Sequence, residues 1–540
     1  MMPTADPRFA ATLAHGLDVL EAFAGAPAVL TNAALAQRTG LARATITRLT
    51  TTLASRGLVV PAGEGRGHRL GSGALTLGYP LLAQLGLRRI ARLPMKQLAD
   101  ALGASVSLGM RDRHRMVYVE TWRNNDPLTF QPDLGAPLPL LDTAIGRAWL
   151  ATATPSEREA ARVALAVVDG AQASRFDRVL REAQRQWAAQ GFCHSEGDWL
   201  PDVHAVAVPL RITLQGEHLL LNAGLPARRL APRALQREIG PCLVQLARTI
   251  EADWQRALLR DGAGQPPAVP PAPAWLVGHG TAAVQDDPRD GGFARTLAHG
   301  IDLLRSFTPG EPALGIRALA RRLGLAPNTV QRLVHTLMER GYLRRDEATA
   351  GYRLAPAVLA AAYPMLSGLP LRRRARPAML ALAARTGGAV SLGLTHETSM
   401  VYVETAWQTD ARLLPPDTGA PMPMLHTAMG RAWLASVDHP TREALLHRLR
   451  LTQPEAFAPL WPAASAAMAD CRRQGWCSSA DFRPEIVAVA VPFSRPVEGL
   501  RYVMNCGVLR DQAADPRRLA QIGAWLRETV VELETPGPAG

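Results

Sequence analysis

Two stretches of the chain carry polar side chains at the spacing of one exposed helix face. In residues 42–59 (ARATITRLTTTLASRGLV) the exposed face contains Arg48, and in residues 326–343 (APNTVQRLVHTLMERGYL) it contains Asn328, Gln331 and Arg332. Arginine can donate two hydrogen bonds to guanine, and asparagine or glutamine can pair in the same way with adenine. Both helices are therefore predicted to read base edges in the DNA major groove. The alternative is that each polar residue is an ordinary solvated position of a surface helix.

The candidate DNA-contacting residues are those of the two exposed faces together with one arginine of the following hairpin. They are Arg43, Thr45, Thr47, Arg48, Thr51, Arg66, Asn328, Thr329, Gln331, Arg332 and His335. Further basic residues of the hairpins are candidates for phosphate contacts. They are His68, Arg69, Arg344, Arg345 and Arg353.

The elements that must position these residues read as a winged helix. A first helix with one apolar face (Leu13, Leu17, Leu20, Phe23) is followed by a short helix that ends at Gly40, where glycine favours a left-handed turn. One residue of turn then leads into the recognition helix, which is the helix-turn-helix pattern. A short hairpin ending in GHRL, or in GYRL in the later stretch, completes the predicted wing.

The whole pattern occurs twice. Residues 12–151 match residues 296–435 at a constant offset of 284, and one extra residue in the first copy then changes the offset to 283. A period this long exceeds that of solenoid repeats, so each copy is expected to fold with its own core. The predicted domains are a winged helix at 8–78, an effector domain at 79–259, a Pro/Gly/Ala-rich linker at 260–291, a second winged helix at 292–362 and a second effector domain at 363–535.

The rear part of each copy is predicted to be an α+β domain. Apolar strands such as MVYVET, which occurs in both copies, VHAVAVPL and IVAVAVPF alternate with helices. A helix beginning near Thr143 or Thr427, with small residues in its first turn, could hold a carboxylate on free backbone N–H groups. The alternative is that Ala144, Gly146 and their counterparts only allow close packing.

Composition agrees with a globular protein that binds nucleic acid. The 540 residues are 47% hydrophobic and 20% charged, with a net charge of +13, and the pI is about 10.4. A strongly basic chain favours nucleic acid, although Arg-rich usage spread over solvated faces would give the same charge. Five cysteines without a CxxC pair, a start without a signal pattern and no apolar run of about 20 residues predict a cytoplasmic protein without a membrane span.

The sequence gives little support to an enzyme. His15, Glu120 and Cys193 recur in the second copy, but duplication would repeat structural residues equally. No HExxH, GxSxG, P-loop or GxGxxG context is present. No catalytic residue, metal site or cofactor is therefore expected.

The combination of GLAPNTVQRLVHTLMERGYL, GYRL, HTAMGRAWLA, RRQGW and VAVAVPF resembles the IclR family of bacterial transcription regulators, and each half matches a member along nearly its whole length. The SLG, YP and MGRAWLA segments are most similar to the regulators of aromatic-acid catabolism. The resemblance implies an N-terminal winged helix, a C-terminal effector domain of GAF-like fold, and pairing through the DNA-binding domains.

Carried over by position, the family's effector site includes the helix-start residues, which match here. Its usual acidic position falls on Ser195 and Ser478, its small polar position on Ala205 and Ala488, and its later serine lies beside Asn222 and Asn505, near Ala223 and Cys506. These departures make the pocket less polar and favour an aromatic or larger acid, although loss of binding would also fit. The candidate effector-binding residues are Thr143, Ala144, Gly146, Ser195, Ala205, Asn222, Thr427, Ala428, Gly430, Ser478, Ala488 and Asn505.

The resulting expectation is a transcription regulator whose partners are a double-stranded DNA operator and a small organic acid. Its two tethered copies form a covalent pseudo-dimer, which could itself pair with a second chain. Because only Arg48 and Arg332 agree on the exposed faces, two unlike half-sites are predicted. The alternative is a ligand-binding or assembly protein whose winged helices no longer bind DNA.

Overall fold

The computed structural model describes residues 8–63, 65–123, 133–260, 292–407 and 416–535. The predicted linker at 260–291 therefore lies, apart from its first residue, outside the described residues. Each copy forms a winged helix, a connecting segment and an α+β domain, which we call sensor 1 in the first copy and sensor 2 in the second. No helix of the described residues is long and apolar enough to cross a membrane.

The winged helices have the predicted order of elements. In copy one, α1 (Ala11–Glu21), α2 (Asn32–Thr39) and α3 (Arg43–Ser55) precede the hairpin of β1 (Val59–Pro61) and β2 (His68–Leu70). The apolar face of α1 is buried, and Gly40 ends α2 in the left-handed conformation with a φ of 72°. The face of α3 that carries Ile46, Leu49 and Leu53 is completely buried, so its polar face must point outward.

Sensor 1 is a six-stranded antiparallel sheet with helices on both faces. Its sheet order is β5-β4-β3-β8-β7-β6, which is compatible with a GAF-like domain. Its elements are α4 (Ser72–Gln84), α5 (Leu87–Leu102), β3 (Ser105–Asp112), β4 (Arg115–Trp122), β5 (Pro137–Pro139), α6 (Ala144–Thr152), α7 (Pro155–Val168), α8 (Gly170–Ala173), α9 (Phe176–Gln190), β6 (Cys193–Glu196), β7 (Val203–Leu214), β8 (Glu217–Pro226), α10 (Pro232–Ala234) and α11 (Gly240–Arg260), with a π-helical turn at Leu235–Ile239.

Copy two repeats this plan, with sheet order β13-β12-β11-β16-β15-β14 in sensor 2. Its elements are α12 (Arg295–Arg305), α13 (Ile316–Leu323), α14 (Pro327–Glu339), β9 (Leu343–Arg345), β10 (Tyr352–Leu354), α15 (Ala357–Ala362), α16 (Pro364–Ser367), α17 (Pro370–Thr386), β11 (Ala389–His396), β12 (Ser399–Trp407), β13 (Pro421–Pro423), α18 (Ala428–Ser436), α19 (His439–Thr452), α20 (Pro454–Gln474), β14 (Cys477–Ser479), β15 (Ile486–Pro492), β16 (Val503–Leu509), a 3-10 turn at Asp511–Ala513 and α21 (Pro516–Glu534).

The connecting helix differs between the copies. In copy one, α4 continues from Ser72 to Gln84, so the predicted boundary between residues 78 and 79 falls inside a helix. In copy two the helix is interrupted between α15 and α16, at the predicted boundary between residues 362 and 363. Both copies carry a proline here, Pro80 inside α4 and Pro364 at the start of α16, so the proline alone does not cause the interruption. The duplicated hinge is therefore no longer symmetric.

The two winged helices pair with each other inside one chain. Helices α1 and α12 pack so closely that a Cβ on Gly16 would lie 2.3 Å from Leu297 Cδ1. The pairing is reciprocal, because the Ala10 amide donates to Thr336 Oγ1 at 2.8 Å and the Ala294 amide donates to Thr52 Oγ1 at 2.9 Å. The apolar core correspondingly runs without interruption through both winged helices and the inner faces of both sheets. Each sensor also has an apolar cluster of its own, as expected, but the winged helices and the inner sheet faces share one core because the surfaces of the duplicated domains are buried against each other.

Each sensor also contacts the winged helix of the other copy. Arg344 of β9 forms an ion pair with Glu217 of sensor 1. In the opposite direction Arg69 Nη1 donates to the Glu498 carbonyl of sensor 2 at 2.7 Å, and Ser72 Oγ donates to the Thr395 carbonyl at 2.5 Å. Each winged helix and its connecting helix are thus held against the sensor of the other copy.

Buried ion pairs join the two sensors. Glu404 accepts hydrogen bonds from Arg376 at 2.7 Å and, across the copies, from Arg123 at 2.8 Å, and it pairs with Arg372 at 2.8 Å. Asp417 of sensor 2 is paired in turn with Arg88 of copy one at 3.3 Å. Burial alone would raise the pKa of the Glu404 carboxyl, but Arg372, Arg123 and Arg376 outweigh burial and lower this pKa to about 2.

Replacing this carboxyl tests how much the shared ion pairs stabilise the pairing. Glu404→Gln leaves three buried arginines without their common anion, so we expect the free energy of unfolding at pH 7 to fall by about 3–5 kcal/mol. Because the folded pKa lies below the unfolded value of about 4.5, the contribution is present above pH 4.5 and is lost as the pH falls toward 2. Urea unfolding between pH 7 and pH 3 should show the wild type and the variant converging. The matched control is Glu159→Gln, which removes an exposed pair with Arg162, and an equal loss in that control would contradict the assignment.

Candidate functional site

The exposed faces of α3 and α14 carry the predicted recognition residues. Arg43, Thr47, Arg48 and Thr51 are exposed on α3, while Thr45 is half-buried. On α14 the exposed residues are Asn328, Thr329, Gln331 and Arg332, with His335 half-buried. Within the described part of the chain neither Arg48 nor Arg332 has an ion-pair partner, so both guanidinium groups are available to an anion or a base edge.

Local contacts hold both helices in place. The Thr31 hydroxyl caps α2 by accepting from the Ala34 amide at 3.1 Å, and Asn32 Nδ2 donates to Thr47 Oγ1 at 3.1 Å. Pro327 begins α14 at the position where a missing N–H costs no hydrogen bond. Thr47 is therefore partly engaged within the protein, whereas Arg43 and Arg48 are the long exposed side chains of α3.

Some basic residues of the wings do not have the predicted role of phosphate contacts. Arg66 is exposed on the first wing, as expected. Arg344 is instead engaged with Glu217, and Arg353 is buried with an ion pair to Asp346 at 2.5 Å. The predictions for Arg344 and Arg353 are wrong because these basic residues hold the wing against the sensor and within its own hairpin. Sequence alone showed their charge but not their partners.

The predicted effector residues of sensor 1 surround one small cavity. Thr143, Ser195, Ala205 and Asn222 line a space of about 30 Å³ between the sheet and α6. Tyr118, which was not predicted, also lines it, and Asn222 Nδ2 donates to Tyr118 Oη at 3.0 Å. The alternation of MVYVET places this tyrosine on the same sheet face as the pocket, which was the available signal. The remaining lining residues are Ser105, Leu138, Trp199, Leu200, Val203 and Gly224.

The cavity is closed by the loop between β6 and β7. A space of 30 Å³ is enough for a water molecule but not for an aromatic ring, which needs about 150 Å³. Trp199 and Leu200 of this loop are half-buried, and Gly197 in the same loop has a φ of 87°, a left-handed conformation that favours glycine. Trp199 and Leu200 therefore limit the room for a ligand in this conformation of the loop.

The small residues at the start of α6 have two different roles. A Cβ on Gly146 would lie 2.0 Å from the Leu140 carbonyl oxygen, so this glycine is needed for close packing. Its amide already donates to Thr143 Oγ1 at 3.2 Å, and the corresponding Gly430 amide donates to Thr427 Oγ1 at 3.1 Å. The packing alternative thus accounts for Gly146 and Gly430. Ala144 and Ala428, which directly follow the capping threonines, are completely buried, and neither Ala144 nor Gly146 lines the cavity of sensor 1.

Sensor 2 places a different serine in the site from the one that was predicted. Ser195 pairs with Ala205 in sensor 1, and the residue that pairs with Ala488 in sensor 2 is Ser479. The extra residue of copy one therefore lies after β6, and the assignment to Ser478 is wrong by one position. In a strand this error reverses the face, and Ser478 points away from the site.

The rest of the candidate site in sensor 2 has the same arrangement, but fewer of its polar side chains are free to contact a ligand. Ser479 Oγ donates to the His426 carbonyl at 2.6 Å, and Arg431 at the start of α18 pairs with Asp481. Asn505, the counterpart of Asn222, has its side-chain oxygen buried without a partner. This oxygen is an available acceptor for a ligand hydroxyl.

The described residues contain no group of three or more His, Cys, Asp or Glu side chains that could hold a metal ion. The repeated residues considered for catalysis have structural surroundings instead. Glu120 pairs with Arg88 and Arg92, both at 2.9 Å, and Cys193 is completely buried. Burial raises the pKa of the Cys193 thiol to about 12, so it is protonated at neutral pH.

Comparison with known proteins gives one consistent result. The model of the IclR helix-turn-helix domain matches residues 12–63 and 296–347, and the model of the bacterial transcriptional regulator IclR C-terminal domain matches residues 80–251 and 363–529. Together these matches cover most of the chain.

Individual relatives each match about half of this chain. The HTH-type transcriptional regulator TsaQ1/TsaQ2 of Comamonas testosteroni is 30% identical over 46% of this chain and 89% of its own length. The Pca regulon regulatory protein of Pseudomonas putida is 27% identical over 44% of this chain and 82% of its own.

Two solved structures illustrate the same relation. An IclR family transcriptional regulator from Brucella abortus is 32% identical, with a TM-score of 0.44 over 49% of this chain and all of that one. An IclR homolog from Microbacterium hydrocarbonoxydans, complexed with 4-hydroxybenzoate, is 21% identical, with a TM-score of 0.35 over 44% of this chain and 98% of that one. The chain belongs to the IclR family of transcriptional regulators, as a tandem duplication that carries the DNA-binding domain and the effector domain twice.

Proposed function

We propose that this regulator works as a self-contained dimer, in which each winged helix of one chain reads one half of an asymmetric operator. One observation carries the proposal: the two winged helices pair inside one chain, but their recognition helices expose different side chains. The buried faces of the two helices have the same pattern. On the exposed faces, by contrast, Thr47 and Thr51 of α3 correspond to Gln331 and His335 of α14. A dimer of identical chains would present two identical faces and could not discriminate in this way.

The chemistry of the two faces supports unlike half-sites. Gln331 and Asn328 can each form two hydrogen bonds with adenine, whereas Thr47 and Ala44 at the corresponding positions favour contacts with a thymine methyl group. Arg48 and Arg332 occupy equivalent positions and would contact guanine in both halves. Arg43 and Arg66 would add phosphate contacts in the first half, which position the protein without reading sequence. The regulator would act in the bacterial cytoplasm, where its operator lies.

The sensors would respond to a small organic acid with an apolar body. Ala205 and Ala488 line the predicted pockets where a more polar residue would favour a small oxo acid. The Tyr118–Asn222 pair and the buried Asn505 oxygen offer partners for a carboxyl or hydroxyl group. That one relative is described as bound to 4-hydroxybenzoate supports an aromatic acid as the first compound to test.

Binding would be transmitted across the copies. A ligand that opens the loop over sensor 1 would shift the β-sheet that carries Glu217, and Glu217 is paired with Arg344 on the wing of copy two. The spacing of α3 and α14 would then change relative to successive major grooves, which are about one helical turn apart. Effector binding and operator binding would be coupled because each is strongest for a particular arrangement of the same two winged helices.

Operator binding should depend on both arginines, each at its own half-site. Arg48→Ala and Arg332→Ala should each cost about 1–3 kcal/mol in binding free energy, because each removes one base contact. A gel-shift assay with the DNA upstream of the gene for this chain measures the affinity, and footprinting shows which half-site loses protection. The matched control is Arg185→Ala, which removes an exposed arginine of sensor 1.

Three results would argue against the proposal. A double variant that binds like the wild type would favour a protein that uses its winged helices for assembly alone. Equal protection of two identical half-sites would limit the duplication to tethering. Loss of affinity in the Arg185→Ala control would attribute the effect to net charge.

The sensor assignment is tested by thermal denaturation with a panel of acids. Benzoate, 4-hydroxybenzoate and aliphatic acids of similar size are added at increasing concentration, and a true effector stabilises the folded chain by about 2.7 kcal/mol at one hundred times its dissociation constant. Ala205→Val, whose two added methyl groups take up the small space, should reduce the shift, while Val167→Ile on an exposed surface should not. An unchanged shift in Ala205→Val, or no shift with any acid, would contradict the assignment.

A further inference from the structure

A second and larger cavity lies between the winged helix of copy one and the hinge of copy two. Its volume is about 240 Å³, compared with about 30 Å³ for the sensor pocket. One wall is the turn after α1 and the end of β2, including Phe23, Ala28 and Arg69, and the other is the segment from α16 into α17, including Met365 and Gly368. An engineered cavity of about 150 Å³ binds benzene, so this space is large enough for one aromatic ring.

The equivalent place on the other side of the molecule is occupied by a side chain. Gln84 of copy one corresponds to Gly368 of copy two, and Gln84 Nε2 donates to the Thr308 carbonyl at 3.4 Å in a buried contact. Gly368 has no side chain to make the corresponding contact, and the helix that contains Gln84 is interrupted on this side. The cavity therefore results from differences between the copies rather than from the family plan they share.

The cavity and the equivalent place in the other half also differ in how their arginine is paired. Arg353 of copy two is paired with Asp346, whereas its counterpart Arg69 has Ala62 at the position of that aspartate. Arg69 Nη1 donates to the Glu498 carbonyl, but its Nε is buried without a hydrogen-bond partner. The cavity thus has an apolar wall and an arginine that lacks the carboxylate of its counterpart.

A second arginine increases the positive charge at this edge. Arg373 lines the cavity and is exposed, with no ion-pair partner in the described part of the chain. The charge of Glu498 interacts with these arginines: burial raises the pKa of its carboxyl, while a backbone hydrogen bond at Leu371 and then Arg374, Arg69 and Arg373 lower it in part. Three arginines around one carboxyl leave an excess of positive charge, which favours an anion.

We propose that the cavity between the first winged helix and the second hinge is an additional ligand site for an amphipathic organic acid. The apolar part of the ligand would lie against Phe23 and Met365, and its acid group would accept hydrogen bonds from Arg69 and Arg373. Since the two walls belong to different copies, the ligand would fix the angle between them. This inference is independent of which operator or sensor ligand the protein recognises.

The test uses the full chain with both candidate sensor sites obstructed, as the Ala205→Val/Ala488→Val variant, so that only binding outside them is measured. Isothermal titration calorimetry with sodium 3-phenylpropanoate should detect one site per chain. Adding Arg69→Gln should weaken this site at least tenfold, because a charge-assisted hydrogen bond is lost. Adding Gly368→Gln should weaken it to a similar degree, because it restores the residue that fills the equivalent place in the other half.

Two further measurements keep the result interpretable. Gly368 has a φ of −80°, so glutamine can adopt its backbone conformation, although its Cβ would lie 3.1 Å from Ala28 Cβ. Circular dichroism and the melting temperature establish that both variants are folded, and Arg345→Gln, an exposed arginine of the second wing, is the matched control. Absence of binding in the chain with both sensor sites obstructed, or an affinity unchanged by both Arg69→Gln and Gly368→Gln, would overturn the proposal while leaving operator binding and the sensor pockets unaffected.

Discussion

The arrangement of the whole molecule depends on the requirement that buried charges be paired. Carboxylates and arginines from both sensors meet between the copies, and their pairs cross from one copy to the other. Taking a single one of these charges out of water would cost several kcal/mol, so neither sensor can bury its share of the cluster without the other. The continuous apolar core adds a larger but less specific attraction. The ion pairs therefore define the relative placement of the two halves, and the apolar surface stabilises it.

Much of the fold could be predicted because the periodicity of apolar residues is local. The helices, the wing and the strands of both sensors follow from alternation and from residues such as Gly40 and Pro327 that end or begin a helix. The exposed face of each recognition helix could also be predicted, because it consists of the residues that remain once the buried face has been assigned. The duplication made these predictions stronger, because each pattern had to hold twice.

Contacts between distant residues could not be predicted in this way. Nothing near Arg344 in the sequence indicates that Glu217 is its partner, and nothing near Arg353 separates a buried ion pair from a phosphate contact. The shift from Ser478 to Ser479 has a related cause, because one inserted residue can be placed on either side of a short strand until the hydrogen-bonded register is known. Tyr118 was missed because a tyrosine in an alternating strand is most often part of a core.

The ion pair between Arg344 and Glu217 bears on how the first copy can pair while the chain is still being synthesised. The residues at the corresponding positions of the other half are Val60 and Leu500, which cannot form an ion pair. The first copy leaves the ribosome while about 280 residues remain to be synthesised, which at roughly 5–20 residues per second takes about 15–60 s. During that time two nascent first copies on the same messenger RNA could meet, but Glu217 of each would then face Val60 of the other and lose its partner. The mismatch would disfavour this premature pairing and leave each first copy free for the second half of its own chain.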